Sequence, residues 1–193
     1  MKLLNSQNLL IASLLGFSTL VTLISSCNHY SPIYTNLVNL LQSEEWKEAD
    51  VETYRVMLVV TKRQIEGWMR PEDVENIPCQ DLRTIDQLWS KYSGGKFGFS
   101  VQQRIYKSLD GTKTYDENIW GSFAERIGWK EKDMGWLKYD DLNFSKTAPT
   151  GQLPAYFASN GYFMGVVGIQ MWDHLPMQVK GVWFMSRNAE CNI

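Results

Sequence analysis

Three cysteines, two histidines and scattered carboxylates are the residues of this 193-residue chain with the widest chemical reach. Cys27, Cys79 and Cys191 stand far apart, and no CxxC or Cys/His spacing surrounds His29 or His174, so no metal site is expected. His174 belongs to an Asp-His-Leu-Pro turn and needs no metal to explain it. Carboxylates pair at Asp140-Asp141 and recur at Asp81 and Asp86, but nothing in their spacing aims two of them at one cleft. Asp81 and Asp86 suit the opening turns of a helix, where negative charge is favoured. There is no GxSxG elbow, no HExxH pair and no GxxxxGK[ST] phosphate loop, and Ser93-Gly94-Gly95-Lys96 lacks the spacing of the last. The residue types therefore indicate no enzyme, no catalytic residue and no required cofactor.

Cys27 is the cysteine with the clearest chemistry. Lys2 is the one charged side chain before it, and Leu9 to Ile24 is an apolar run with a few hydroxyls, slightly short for a spanning helix. Ile24-Ser25-Ser26-Cys27 then resembles a bacterial lipobox, whose cysteine is lipidated after the preceding signal peptide is removed. The other reading is an uncleaved signal anchor. Either way, residues 1–26 are the signal peptide or anchor and 27–35 a linker. No positive charge follows until Lys47, which places the remaining chain on the exported side of a membrane. There Cys79 and Cys191 could pair, although sequence cannot bring them within bonding distance, and a buried thiol at Cys79 explains that residue as well.

The net charge of −2 and the lack of a basic run leave no electrostatic footprint for nucleic acid. The aromatic load of 8 Trp, 9 Tyr and 8 Phe suits a core, and it suits a pocket for a flat apolar ligand equally in kind. The elements that must position these groups are mostly helical. Leu37, Leu40 and Leu41 recur at helical spacing, and Ser43 is placed to cap a second helix running from Trp46 to Val60. Gly67 to Ile77 reads as a loop. Pro78 opens a helix with Leu82, Ile85, Leu88 and Trp89 inside, ended by Ser93-Gly94-Gly95. Further helices are expected from about Phe99 and over Asp116 to Ile127, followed by a structured loop over Lys130 to Pro154. The Val- and aromatic-containing runs Tyr162–Trp172 and Gln178–Met185 predict a small β-hairpin near the C-terminus.

Five motifs then appear in order: Trp46-Lys47-Glu48-Ala49-Asp50-Val51-Glu52-Thr53, Ile77 to Trp89, Gly95-Lys96-Phe97-Gly98-Phe99-Ser100-Val101-Gln102, Ile127-Gly128-Trp129, and Ala148-Pro149-Thr150-Gly151-Gln152-Leu153-Pro154. Their order and spacing resemble the genomes-uncoupled-four family of cyanobacteria and plastids, over about Leu37 to Pro154. The resemblance implies a compact, mainly α domain shaped like a cupped hand, here spanning residues 36–193 with a C-terminal extension from about 155. It implies a palm that binds protoporphyrin, magnesium protoporphyrin or a linear bilin, and a part in regulating chlorophyll synthesis through magnesium chelatase.

The family's pocket lies between the two loops, here Gly67–Ile77 and Lys130–Thr147. The implied wall residues are Trp68, Met69, Val74 and Ile77 on the first loop and Trp136, Tyr139, Leu142 and Phe144 on the second. Phe97, Phe99, Val101 and Ile105 are candidates for the floor, or for plain core. Trp89, Trp120, Phe123 and Trp129 are left to the core. Lys91, Lys96, Arg104 and Lys138 are the cations nearest in sequence to meet the ligand's carboxylates. One departure stands out: some members carry arginines soon after the Leu-Pro pair, whereas this chain has no Lys or Arg from Thr147 to Val179. Export conflicts with a magnesium chelatase partner, which works on the other side of the membrane. Two readings follow: a membrane-tethered tetrapyrrole-binding module, or an interaction scaffold that keeps the fold without the pigment.

Overall fold

The computed structural model describes residues 30–159 and 177–193. Cys27, His29, His174 and the Tyr162–Trp172 half of the expected hairpin lie outside them. The chain enters through a 3-10 turn, Pro32–Tyr34, and helix α1, Thr35–Gln42. Tyr34 is buried and its hydroxyl donates to the Asp81 carboxylate. Leu37 and Leu41 face inward from α1. Ser43 is not the cap of the second helix; it closes α1, its amide donating to Asn39 O at 3.0 Å. Glu44, in the left-handed region at φ 62°, reverses the chain, and α2 begins at Trp46 and runs to Val60.

The segment expected to be loop contains a short helix, α3, Pro71–Glu75. A proline at its first position and the Asp73 carboxylate explain it: Asp73 accepts from the Arg70 amide at 2.8 Å and pairs with Arg70 at 2.9 Å and Arg63 at 3.2 Å. Pro78 caps α4, Cys79–Ser93, rather than occupying its first turn, and Gly94 ends it with a left-handed φ of 65°. Helix α5 spans Phe99–Ser108, its first turn held by Asp86, whose carboxylate accepts from the Ser100 amide at 2.8 Å. Asp116 caps α6, Glu117–Arg126, accepting from the amides of Asn118 and Ile119 at 2.9 and 3.0 Å. Strands β1, Lys130–Glu131, and β2, Gly135–Trp136, pair antiparallel with Lys130 opposite Trp136, and a 3-10 turn follows at Tyr139–Asp141. The described chain ends with α7, Tyr156–Ser159, and α8, Met177–Glu190.

The C-terminal strand expectation is therefore corrected: Gln178–Met185 is helical, and the one antiparallel pair among the described residues is β1–β2. Gly181, Phe184, Met185 and Asn188 are buried at helical spacing, a pattern that Val and Phe obscured. The described residues of the C-terminal extension pack into the domain. Ala155, Ala158, Val182, Phe184 and Met185 join the same core as Trp46, Trp89 and Phe123. A Cβ on Gly181 would sit 2.1 Å from a Trp120 ring carbon, so α8 touches that ring through a position that admits no side chain. Arg187 donates to Ile77 O at 2.7 and 3.0 Å, and a Cys79–Cys191 disulfide, Cα–Cα 5.1 Å, joins the start of α4 to the end of the chain.

Candidate functional site

Helix α2 is the base on which the two loops meet. Asp50, one turn in from Trp46, is 1% exposed. Both its carboxylate oxygens accept from the amides of Ala155 and Tyr156 at 2.9 to 3.1 Å, and Oδ2 accepts from the Tyr139 hydroxyl at 3.3 Å. One side chain thus fixes the start of α7 and the second loop against the same helix. Burial pushes the Asp50 carboxyl up to about 7, although the amide and phenol hydrogen bonds pull it back toward the usual carboxylate range. Burial and the facing Asp50 charge raise the Tyr139 phenol, so it stays protonated and keeps donating.

An aromatic run follows from this anchoring. The Tyr54 hydroxyl, on α2, donates to Gly67 O of the first loop at 3.4 Å. Its ring meets Tyr156 at 5.4 Å, Tyr156 meets Tyr139 at 5.1 Å, and Tyr139 meets Phe144 of the second loop at 5.1 Å, all edge-on. The first loop is stiffened by Arg63, which stacks 4.9 Å over the Trp68 ring and donates to Trp68 O at 3.2 Å. The second is stapled by Gln152: its Oε1 accepts from the Asn143 amide at 3.1 Å and its Nε2 donates to Gly128 O at 2.8 Å. Gln102 secures the segment after it, donating to Gly151 O and Pro154 O at 3.0 and 2.8 Å. At the rim, Lys47 Nζ lies 5.3 Å from the Phe144 ring centre and 5.9 Å from that of Tyr139, and pairs with Asp140 at 2.6 Å.

The twelve wall and floor candidates separate by burial. Met69, Ile77, Phe97, Phe99, Val101, Tyr139 and Leu142 are buried; Phe97 packs on Trp46 and Trp89, and Phe99 on Phe157 and Phe184. In this conformation they support a surface without forming it. Trp68, Val74, Ile105 and Phe144 are half-buried and Trp136 is 37% exposed. Tyr139 and Phe144 are brought into one run, while Phe97, Phe99, Val101 and Ile105 belong to the loop before α5 and to α5 itself and are not members of it. Among the cations, Lys96 donates to Lys146 O, Lys91 lies over its neighbour Tyr92, and Arg104 lies within electrostatic reach of Asp86. Lys138 is exposed one residue before Tyr139. Among the described residues no group of three or more His, Cys, Asp or Glu is placed to hold a metal.

Sequence reasoning passed over Asp50, Lys47, Tyr54 and Tyr156. For Asp50 a signal existed: it lies four residues after Trp46 and three before Thr53, on the face the helix buries. Tyr156 lay past the last motif and carried none. In the run the half-buried rings of Tyr156 and Phe144 flank the buried Tyr139, and Lys47 supplies a cation at the border, an arrangement that suits a flat, apolar, acid-edged molecule.

A GUN4-like family model matches residues 28–166. The uncharacterized protein ycf53 of Porphyra purpurea is 32% identical over 158 residues, 79% of this chain and 62% of that protein. The chloroplastic tetrapyrrole-binding protein of Arabidopsis thaliana is 32% identical over 140 residues, 67% of this chain and 50% of that protein. The chain thus spans about half to three fifths of the length of the curated relatives it matches. The ligand-free structure of Arabidopsis thaliana GUN4 superposes with a TM-score of 0.60 at 23% identity, covering 80% of this chain and 92% of that one. GUN4 from Chlamydomonas reinhardtii gives 0.57 at 24% identity, covering 83% and 90%. These two likenesses establish the fold.

Proposed function

This chain belongs to the GUN4-like family, and from that premise we propose that it is a non-enzymatic tetrapyrrole-binding protein that takes a porphyrin or bilin between its two loops. The observation that carries the reading is the aromatic run Tyr54–Tyr156–Tyr139–Phe144, which joins the first loop to the second across α2. Covering a few hundred Å² of apolar disc at about 25 cal/mol per Å² contributes several kcal/mol before ordering costs. Micromolar affinity, about 8 kcal/mol net, therefore also calls on contacts at the ligand's charged edge. The walls are apolar and the rim carries a cation, which matches a disc with carboxylates on one edge.

A porphyrin titration tests this. Protoporphyrin added to the chain should give a saturable Soret red shift and tryptophan quenching. Phe144→Ala should weaken the binding roughly fivefold to tenfold, as loss of one buried ring face does. No saturable change at tens of micromolar would return the chain to the scaffold reading.

We further propose that the domain is exported and tethered through Cys27. The Cys79–Cys191 bond supports an oxidising compartment, since reducing ones keep such thiols apart. Among the described residues no helix is long and apolar enough to cross a membrane. Tethering rests instead on the lipobox-like Ile24-Ser25-Ser26-Cys27. Labelled palmitate should enter the chain and be lost in Cys27→Ala. Label that persists in that variant would rule out lipidation at this residue. An exported domain would handle its pigment apart from magnesium chelatase, by carrying, sequestering or sensing it.

A further inference from the structure

Lys47 lies within the first motif, where its sequence position gives it no role at the site. It stands on α2, and its ammonium lies over the Phe144 and Tyr139 rings, at the border of the aromatic run. Its partner is Asp140, 2.6 Å away, and both side chains are substantially exposed, 42% and 49%. An ion pair of that kind is held weakly and exchanges its members easily, because water solvates each as well as they solvate one another. A ring face below the ammonium limits the directions it can take and keeps it at the border.

On the reading of the site as a tetrapyrrole pocket, we propose that Lys47 is the cation that receives a carboxylate of the bound ligand, and that Asp140 is its resting partner, displaced when the ligand arrives. The four cations nearest in sequence to the walls are worse placed. Lys96 is engaged with Lys146 O, Lys91 lies over Tyr92 at the end of α4, and Arg104 lies within electrostatic reach of Asp86. Lys138 is exposed beside Tyr139, and among the described residues no ring lies under its ammonium. The stretch after Leu153-Pro154 offers no Lys or Arg before Lys180. Lys47 thus supplies from α2 the charge that this chain lacks there. The ligand class follows: a tetrapyrrole with at least one free carboxylate should be preferred over its ester.

The pair of residues gives opposite expectations. Lys47→Gln should weaken protoporphyrin binding by the full chain roughly tenfold, while Lys47→Arg should restore most of it. Asp140→Asn, which removes the competitor, should strengthen it roughly threefold. Protoporphyrin dimethyl ester, which has the same faces and no carboxylate, should bind the parent chain and Lys47→Gln alike. Equal thermal midpoints for the variants show that the fold is intact. A parent chain that binds while Lys47→Gln binds equally well overturns the assignment and leaves the pocket standing. An ester that loses as much affinity as the acid in Lys47→Gln also overturns it, since Lys47 would then act through the apolar wall. A parent chain that binds neither molecule overturns the pocket and the assignment together.

Discussion

Reducing the Cys79–Cys191 bond should lower the free energy of unfolding by about 4 kcal/mol, which for a domain of this size is a fall of about 10 °C in the thermal midpoint. The bond joins residues 112 apart, so in the unfolded chain it closes most of the described domain into one loop. Opening it returns the entropy of that loop to the unfolded state. The native state also loses a fastening. Arg83 donates to Cys191 O at 2.9 Å and Arg187 to Ile77 O, and both contacts depend on the end of α8 staying beside the start of α4. Unfolding followed by circular dichroism with and without reductant measures the difference, and Cys191→Ser should reproduce the reduced value. A difference below about 1 kcal/mol would mean that the packing of Phe184 and Met185 holds α8 unaided.

The pairing shows where reading the sequence stopped. Two cysteines at positions 79 and 191 were visible, but a distance across the fold is not a property of either neighbourhood. The same limit hid the aromatic run. Tyr139 and Phe144 were marked by lying on a loop too apolar for water. Tyr54 looked like one more residue of a core helix, and Tyr156 like the start of an extension. They become one feature only when Asp50 draws the Ala155 and Tyr156 amides onto α2. Helices were legible where apolar residues repeat at three and four, as in Leu82, Ile85, Leu88 and Trp89. They were not legible in Gln178–Met185, where Val, Trp and Phe carry strand preference and the deciding partners, Trp120 and Ile77, lie far away in sequence. Phe97 and Phe99, candidates for the floor or for plain core, pack against Trp46, Trp89 and Phe184.

Asp50 should give the protein a stability that declines with rising pH, opposite to the usual behaviour of a paired carboxylate. Its folded-state value is raised to about 7 from an ordinary 3.8, and burial is the main cause. Below about pH 4 the carboxyl is neutral in both states and the folded chain has its full stability. Between about 4 and 7 the unfolded chain gives up the proton and the folded chain keeps it. Stability then falls by up to about 1.4 kcal/mol per pH unit, and above 7 both states are ionised and the loss levels off. Asp86, raised by burial, adds to the same slope, whereas Asp73, lowered chiefly by its hydrogen bond from Arg70, opposes it only at more acid pH. Asp50→Asn should flatten the profile between pH 5 and 7. It will also carry a constant cost, because an amide nitrogen replaces one of two oxygens that accept from the same pair of amides. The slope is therefore the diagnostic and the offset is not. Denaturant unfolding at pH 5, 6, 7 and 8 separates them, and an unchanged slope in the variant would assign the proton to another group. Since Asp50 also seats Tyr139 and Tyr156, the same titration bears on the pigment site. If ionising Asp50 loosens that seat, ligand affinity should decline as the pH rises through about 7 in the parent chain and stay level in Asp50→Asn.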